Sequence, residues 1–199
     1  RSLPIKRNKV TGVIYLDNAA TTALSPAAIQ AMTKTMTVFG NPSSTHSHGR
    51  EASKLLRQAR EDIAQALHTQ SNKIIFTSGG TESNNTVIKG YALHHQNRGK
   101  HIVTTAIEHH AVLEVVEYLV DKFGFEATFV QPVDGQILVE DIEKALRPDT
   151  ILVSVMAVNN ETGAMLPIKE IGELLHEHPA VFHVDAVQAI GKLPIYPDE

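Results

Sequence analysis

Asp185 closes the apolar run Val181-Phe182-His183-Val184, and Gln188 follows three residues later. In an open α/β sheet, ligands bind at the carboxyl ends of the strands, so this spacing puts an acid and an amide at that edge. A buried carboxylate needs a cation or strong donors. The adjacent sequence supplies no cation, so the expected partner is a ligand. A second segment, Ser78-Gly79-Gly80-Thr81-Glu82-Ser83, follows Ile74-Ile75-Phe76-Thr77. Its glycines allow a tight turn and close approach to a ligand. The helix expected from about Ser83 to His94 would turn its free N–H groups toward an anion, and the Thr81 hydroxyl adds a donor. This is a phosphate cradle without lysine, and it matches neither nucleotide-binding glycine fingerprint. The two segments together suit a cofactor with an anionic group at one end and a basic nitrogen at the other. Asp185 against a pyridine nitrogen would keep it protonated and make the ring a better electron sink.

Two further clusters follow strand-like runs. His109, in Glu108-His109-His110, could stack on a planar ring or move a proton near neutral pH. Asn160, in Val158-Asn159-Asn160-Glu161-Thr162-Gly163, can hydrogen-bond ligand oxygens. Each cluster alone also has an ordinary reading: a glycine-rich turn before a capped helix, a surface histidine, an Asn–Gly turn, an Asp capping the next helix. Their arrangement argues further, because four polar clusters follow four strands and all could share one sheet edge. Among the eleven histidines, His94-His95 and His176-Glu177-His178 read as solvated helix residues. No metal-binding spacing occurs.

The elements that must position these groups alternate between strand and helix, which predicts an α/β fold, a mainly parallel sheet with helices on both faces. Expected strands are 74–77, 101–104, 127–130, 151–155 and 181–184, short and continuously apolar as strands buried on both faces should be. Ser25-Pro26 predicts a capped helix to about Met36. The run Arg50 to Leu67 carries one apolar stripe of Ala52, Leu55, Leu56, Ala59, Ile63, Ala66 and Leu67. Further helices are expected over 111–122, ended by Gly124, and over 139–146 and 168–176. Val13–Leu16 reads as a short extended run leading into a polar turn at 17–22, and 39–46 as a long loop.

The 199 residues suffice for one large domain or a domain and part of another. With 42% apolar and 20% charged residues the composition is globular, and a net charge of −4 gives no basic surface for nucleic acid. No apolar run approaches a membrane span, and no signal-peptide stretch follows the basic first residues. Cysteine is absent, which excludes disulfides, thiolate metal sites and a cysteine nucleophile within these residues.

The segments Tyr15-Leu16-Asp17-Asn18-Ala19-Ala20-Thr21-Thr22, Gly40-Asn41-Pro42-Ser43-Ser44 and Phe76-Thr77-Ser78-Gly79-Gly80-Thr81-Glu82-Ser83-Asn84-Asn85 resemble the cysteine desulfurases of the NifS/IscS type. Glu108-His109-His110-Ala111-Val112, Val158 to Gly163, and His183-Val184-Asp185-Ala186-Val187-Gln188 extend the resemblance in the same order. It covers essentially the whole chain and implies the class V aminotransferase group, with the pyridoxal-phosphate type I fold. Residues 1–16 would be an arm belonging to the small domain, and 17–199 an incomplete large cofactor-binding domain. The implied cofactor is pyridoxal 5′-phosphate. Gly80 and Thr81 would hold its phosphate, and His109 would stack on the ring and transfer protons. Asp185 would pair with the ring nitrogen, Gln188 with the phenolic oxygen, and Asn160 would lie near that oxygen and the substrate carboxylate. The resemblance further implies L-cysteine as substrate, alanine and an enzyme persulfide as products, a sulfur acceptor or iron–sulfur scaffold as partner, a homodimer, and a cytoplasmic location.

The chain also departs from that pattern. The Schiff-base lysine of the family stands in a Ser-x-His-Lys stretch beyond the Asp-x-x-Gln segment, and Lys192 does not match it. The catalytic cysteine and a carboxylate-binding arginine also lie further on in the family. The chain by itself is therefore expected to be inactive and, with an open sheet edge, to fold poorly or to survive only as a dimer or beside the rest of the family's large domain. The alternatives are a selenocysteine lyase or another class V enzyme, a non-catalytic binding or assembly piece, and a nucleotide-binding α/β domain. The absent glycine fingerprints speak against the last.

Overall fold

The computed structural model describes residues 14–198. The chain divides into two units, one ending at Val38 and one beginning at Phe39. In the first, the Tyr15 hydroxyl donates to the carbonyls of Asp17 (2.7 Å) and Thr21 (3.2 Å), which closes the polar turn. Helix α1, Pro26–Thr35, begins as its sequence predicts: the Ser25 hydroxyl accepts from the Ala28 N–H at 3.1 Å, and Pro26 follows the cap. Of the expected amino-terminal arm, residues 1–13 lie outside the described residues, and 14–16 belong to no helix or strand.

The second unit holds α2 (Ser47–Ala66), α3 (Gly80–His95), β1 (His101–Thr105), α4 (His110–Phe123), β2 (Glu126–Val130), α5 (Val139–Ala145), β3 (Thr150–Met156), α6 (Ile168–Leu175) and β4 (Val181–Asp185). The strands form one sheet in the order β2-β1-β3-β4, and every pair is parallel. Every residue of β1 and β3 is buried, whereas the outer strands β2 and β4 are partly open. Alternate side chains along the strands feed two cores. On one face Ile102 and Leu152 meet Ile88 of α3 and Val112, Val116 and Leu119 of α4. On the other, Val103, Val153 and Val155 meet Ile142 of α5 and Ile171 and Leu175 of α6. This is the expected parallel sheet with helices on both faces. Gly124 ends α4 in the left-handed conformation (φ 68°), where a Cβ would be strained.

Three local expectations change. Residues 74–77 form no strand and pair with none among the described residues, with Ile75 80% exposed and the Phe76 ring lying 5.1 Å beneath the Arg60 guanidinium. Side chains suited to a strand do not make one without a neighbouring ladder, and no described residue supplies it. Helix α2 forms as predicted, but its stripe is not buried: Leu55, Leu56 and Ile63 remain 38–39% exposed. Its main partner among the described elements is the short 3₁₀ turn Ser71–Lys73, too small to cover such a face. His95 is half-buried rather than solvated, stacked 4.1 Å from the Tyr91 ring one turn earlier.

Leu152 is fully buried at the centre of the sheet. Leu152→Ala is expected to cost about 3 kcal/mol in chemical denaturation, while the same truncation at Leu55 costs under about 1 kcal/mol. Equal losses at the two positions would show that the α2 stripe is as buried as the sheet core.

Candidate cofactor site

Parallel strands end on one edge, so the tips of β1, β3 and β4 are neighbours. Met156 is paired with Asp185, and the Ala157 N–H donates to the Asp185 carbonyl at 2.9 Å. The Asp185 side chain is only 8% exposed. One carboxylate oxygen accepts from Asn84 Nδ2 of α3 at 2.7 Å, and the other from the Val187 N–H at 3.0 Å. No ion pair reaches it among the described residues. The segment after it is a turn, not a helix, so Asp185 is not there as a helix cap. His183, two residues earlier on the same face, has Nδ1 2.9 Å from the Ser154 hydroxyl. Burial lowers its pKa, with Asp185 pulling the other way.

Helix α3 begins at Gly80, three residues earlier than the sequence suggests, because the Ser83 N–H already bonds the Gly79 carbonyl at 3.1 Å. Gly80 and Thr81 therefore lie in the first turn, whose leading N–H groups have no acceptor inside the helix. The N-cap residue is Gly79, and no side chain caps the end. A Cβ on Gly80 would stand 2.8 Å from Val187 Cγ2, so glycine lets this helix start close in on the turn that carries Asp185. Glu82 folds back, its carboxylate accepting from both the N–H and the hydroxyl of Ser78 at 2.6 Å. These bonds hold its pKa low.

His109 is the N-cap of α4. Its Nδ1 accepts from the Ala111 N–H at 3.0 Å, so a neutral ring carries its proton on Nε2, and the side chain is exposed. Asn160 is half-buried, its Nδ2 donating to Glu161 Oε1 at 2.7 Å. Gln188 is half-buried, its Oε1 accepting from Lys192 Nζ at 3.0 Å. Gly80, Thr81, Asp185 and Gln188 thus gather around one junction of α3 with β4. His109 and Asn160 stand on the loops leaving β1 and β3 along the same edge.

The residues that tie these pieces together are not those the sequence singles out. Asn84 holds Asp185. It lies in line with Ile88 and Ala92, all three buried, so a polar residue on an apolar helix stripe is the signal that could have found it. Glu108 is 6% exposed. Its Oε1 accepts from the Thr105 hydroxyl at 2.7 Å and from the Met156 N–H of β3 at 2.9 Å, while its Oε2 is buried without a hydrogen-bond partner among the described residues. Burial raises its pKa to about 7 against the pull of those donors, with nearby Asp185 adding to the rise. Asn159, also 6% exposed, donates from Nδ2 to the Ile107 carbonyl at 2.8 Å. Both stand inside motifs that carry the resemblance, but nothing in the sequence gives them a role of their own.

Among the described residues, the edge therefore offers a buried carboxylate bonded only by neutral donors, beside a helix start that no side chain caps. That donor set suits a ligand with a protonated ring nitrogen at one end and a phosphate at the other. It does not suit a metal, and no metal-binding cluster occurs among the described residues.

A pH dependence of stability follows from Glu108. Its folded-state pKa is raised above the ordinary carboxyl value, so its contribution is fully present below about pH 4.5 and is lost as pH climbs through about 7. The loss is on the order of 3 kcal/mol. Glu108→Gln cannot ionise, so its stability relative to the unsubstituted protein is expected to rise between pH 4.5 and 7 in paired urea titrations. A constant difference across that interval would mean that Glu108 ionises normally.

The class-V aminotransferase family model matches residues 14–199. The chain is 50% identical over 189 residues to the cysteine desulfurase IscS of Dictyoglomus turgidum, covering 94% of this chain and 48% of that one. It is 48% identical over 185 residues to the IscS of Methanosarcina thermophila, covering 92% and 45%. Among solved structures, a NifS-like protein superposes with a TM-score of 0.88 at 39% identity, over 94% of this chain and 52% of the other. SspA in complex with cysteine superposes with a TM-score of 0.87 at 38% identity, over 92% and 53%. The chain spans about half the length of these relatives. Its fold is that of the NifS-like proteins, and it belongs to the aminotransferase class-V family of pyridoxal-phosphate-dependent enzymes.

Proposed function

We propose that this chain forms the cofactor-binding part of a pyridoxal-phosphate-dependent cysteine desulfurase, which converts L-cysteine to L-alanine and passes the sulfur on for iron–sulfur cluster or thio-cofactor assembly. The observation that carries this reading is Asp185, a buried carboxylate with neutral donors only, beside an uncapped helix start, in a chain about half identical to curated desulfurases. The neighbour named as a complex with cysteine supports the substrate.

When bound, pyridoxal phosphate supplies an electron sink for the bonds at an amino acid's α-carbon. Asp185 would keep the ring nitrogen protonated, its orientation set by Asn84 and the Val187 N–H. Gly80 and Thr81 would take the phosphate on the free N–H groups of the first turn of α3. Gln188 would bond the phenolic oxygen, with Asn160 near it and the substrate carboxylate. His109, whose Nδ1 is engaged by the Ala111 N–H, would stack on the ring and exchange a proton through Nε2. Residues 1–16 would serve as an arm of the small domain and 17–199 as part of the large one. We further assign the protein to the cytoplasm, as a homodimer that delivers sulfur to an acceptor or scaffold protein. No helix among the described residues is long and apolar enough to cross a membrane.

Absorbance titration of the apo-protein, expressed from its complete reading frame, with pyridoxal phosphate tests this reading. Saturable binding is expected, weakened about a hundredfold or more in Asp185→Ala, which removes an ion pair worth several kcal/mol. Absence of saturable binding, or equal affinity in the variant, would sink it.

A further inference from the structure

His109 and Asn160 each follow directly on a buried polar residue, Glu108 and Asn159. Those two reach across in opposite directions. Glu108, on the loop leaving β1, accepts from the Met156 N–H at the end of β3 (2.9 Å) and from the Thr105 hydroxyl at the end of β1 (2.7 Å). Asn159, on the loop leaving β3, donates back to the Ile107 carbonyl on the loop leaving β1 (2.8 Å). Its Oδ1 also accepts from the N–H groups of Glu161 (3.0 Å) and Thr162 (2.9 Å), which fixes the turn that carries Asn160. The loops are thus cross-braced by two buried hydrogen-bonded side chains, and each brace is one peptide away from a residue at the ligand edge. Buried polar networks of this kind impose one arrangement, because any other leaves groups unpaired. Neither brace is itself free to meet a ligand through the oxygen or nitrogen it uses.

We propose that Glu108 is a positioning residue which, with Asn159, fixes where His109 and Asn160 stand relative to the bound cofactor. The inference rests on the cofactor reading above. What Glu108 contributes is reach: its Oε1 spans from the β1 loop to the β3 backbone. Aspartate keeps the acid but falls one methylene short. Glutamine loses the acid but keeps an oxygen at that position. A purely electrostatic role would rank these two substitutions in the opposite order.

The test uses Glu108→Asp, Glu108→Gln and Glu108→Ala, with Asn159→Ala as the opposite brace, in the protein expressed from its complete reading frame. The readouts are the pyridoxal phosphate dissociation constant, the induced circular dichroism of the bound cofactor, and kcat and KM with L-cysteine. Glu108→Gln is expected within about threefold of the parent in affinity and with the same dichroism. Glu108→Asp, Glu108→Ala and Asn159→Ala are expected to weaken cofactor binding about tenfold or more, alter the dichroism, and lower kcat more than they raise KM. Folded Glu108→Asp or Glu108→Ala protein with parental affinity, dichroism and kcat would overturn the proposal. So would Glu108→Gln as impaired as Glu108→Asp. If Glu108→Ala does not fold, the Asp and Gln variants decide alone. Failure of the cofactor reading would show separately, as absence of saturable binding in the parent protein.

Discussion

A carboxylate buried at a strand tip is the constraint around which this molecule is arranged. Removing a charge from water costs several kcal/mol even after the protein relaxes. Two hydrogen bonds to a charged group return about 1.5–3 kcal/mol each, so Asn84 and the Val187 N–H bring Asp185 near balance and no further. A ligand cation bound beside Asp185, as proposed, would then gain most of its Coulombic attraction as binding. The parallel sheet makes this useful: pairing β4 with β3 puts Asp185 level with Met156, on the edge where the loops of β1 and β3 emerge. Strand direction brings the acid and the two polar loops to one edge, and the Asn84–Asp185 hydrogen bond ties helix α3 to it.

The residues expected to face the ligand and the residues that hold them form different sets. His109, Asn160, Thr81 and Gln188 are exposed or half-buried, which leaves them accessible for the ligand contacts proposed for them. Asn84, Glu108 and Asn159 are buried and spend their hydrogen bonds on protein. Loops can carry chemistry only where something rigid aims them, and here single side chains anchored on α3 and β3 do so. Glu108 bears the highest cost in this layer, since burial raises its pKa to about 7 and one of its oxygens has no partner among the described residues.

Much of this was legible in the chain. The continuous apolar runs around Val103 and Val153 read as buried parallel strands, that around Val184 proved an outer and partly open one, and the polar clusters after them read as one edge. Ser25-Pro26 and Gly124 marked helix ends by local backbone chemistry alone. The sites that escaped notice depend on distant partners. Asn84 and Asp185 are 101 residues apart, and Glu108 and Met156 are 48 apart, separations at which no periodicity operates. Ile74–Thr77 misled for the same reason in reverse, because its side chains suit a strand but a ladder is a property of two segments. The α2 stripe was read correctly as a pattern; whether a stripe is covered depends on what packs against it.

The proposed cofactor site rests on Asp185 keeping the ring nitrogen of a bound pyridoxal phosphate protonated. The most direct measurement is the ¹⁵N chemical shift of ring-labelled cofactor bound to the protein, alone and in Asp185→Asn. A pyridinium resonance that moves to the neutral-pyridine position in the variant is the expected result. A neutral-pyridine resonance in the unsubstituted protein, or one indifferent to the substitution, would contradict the assignment of Asp185.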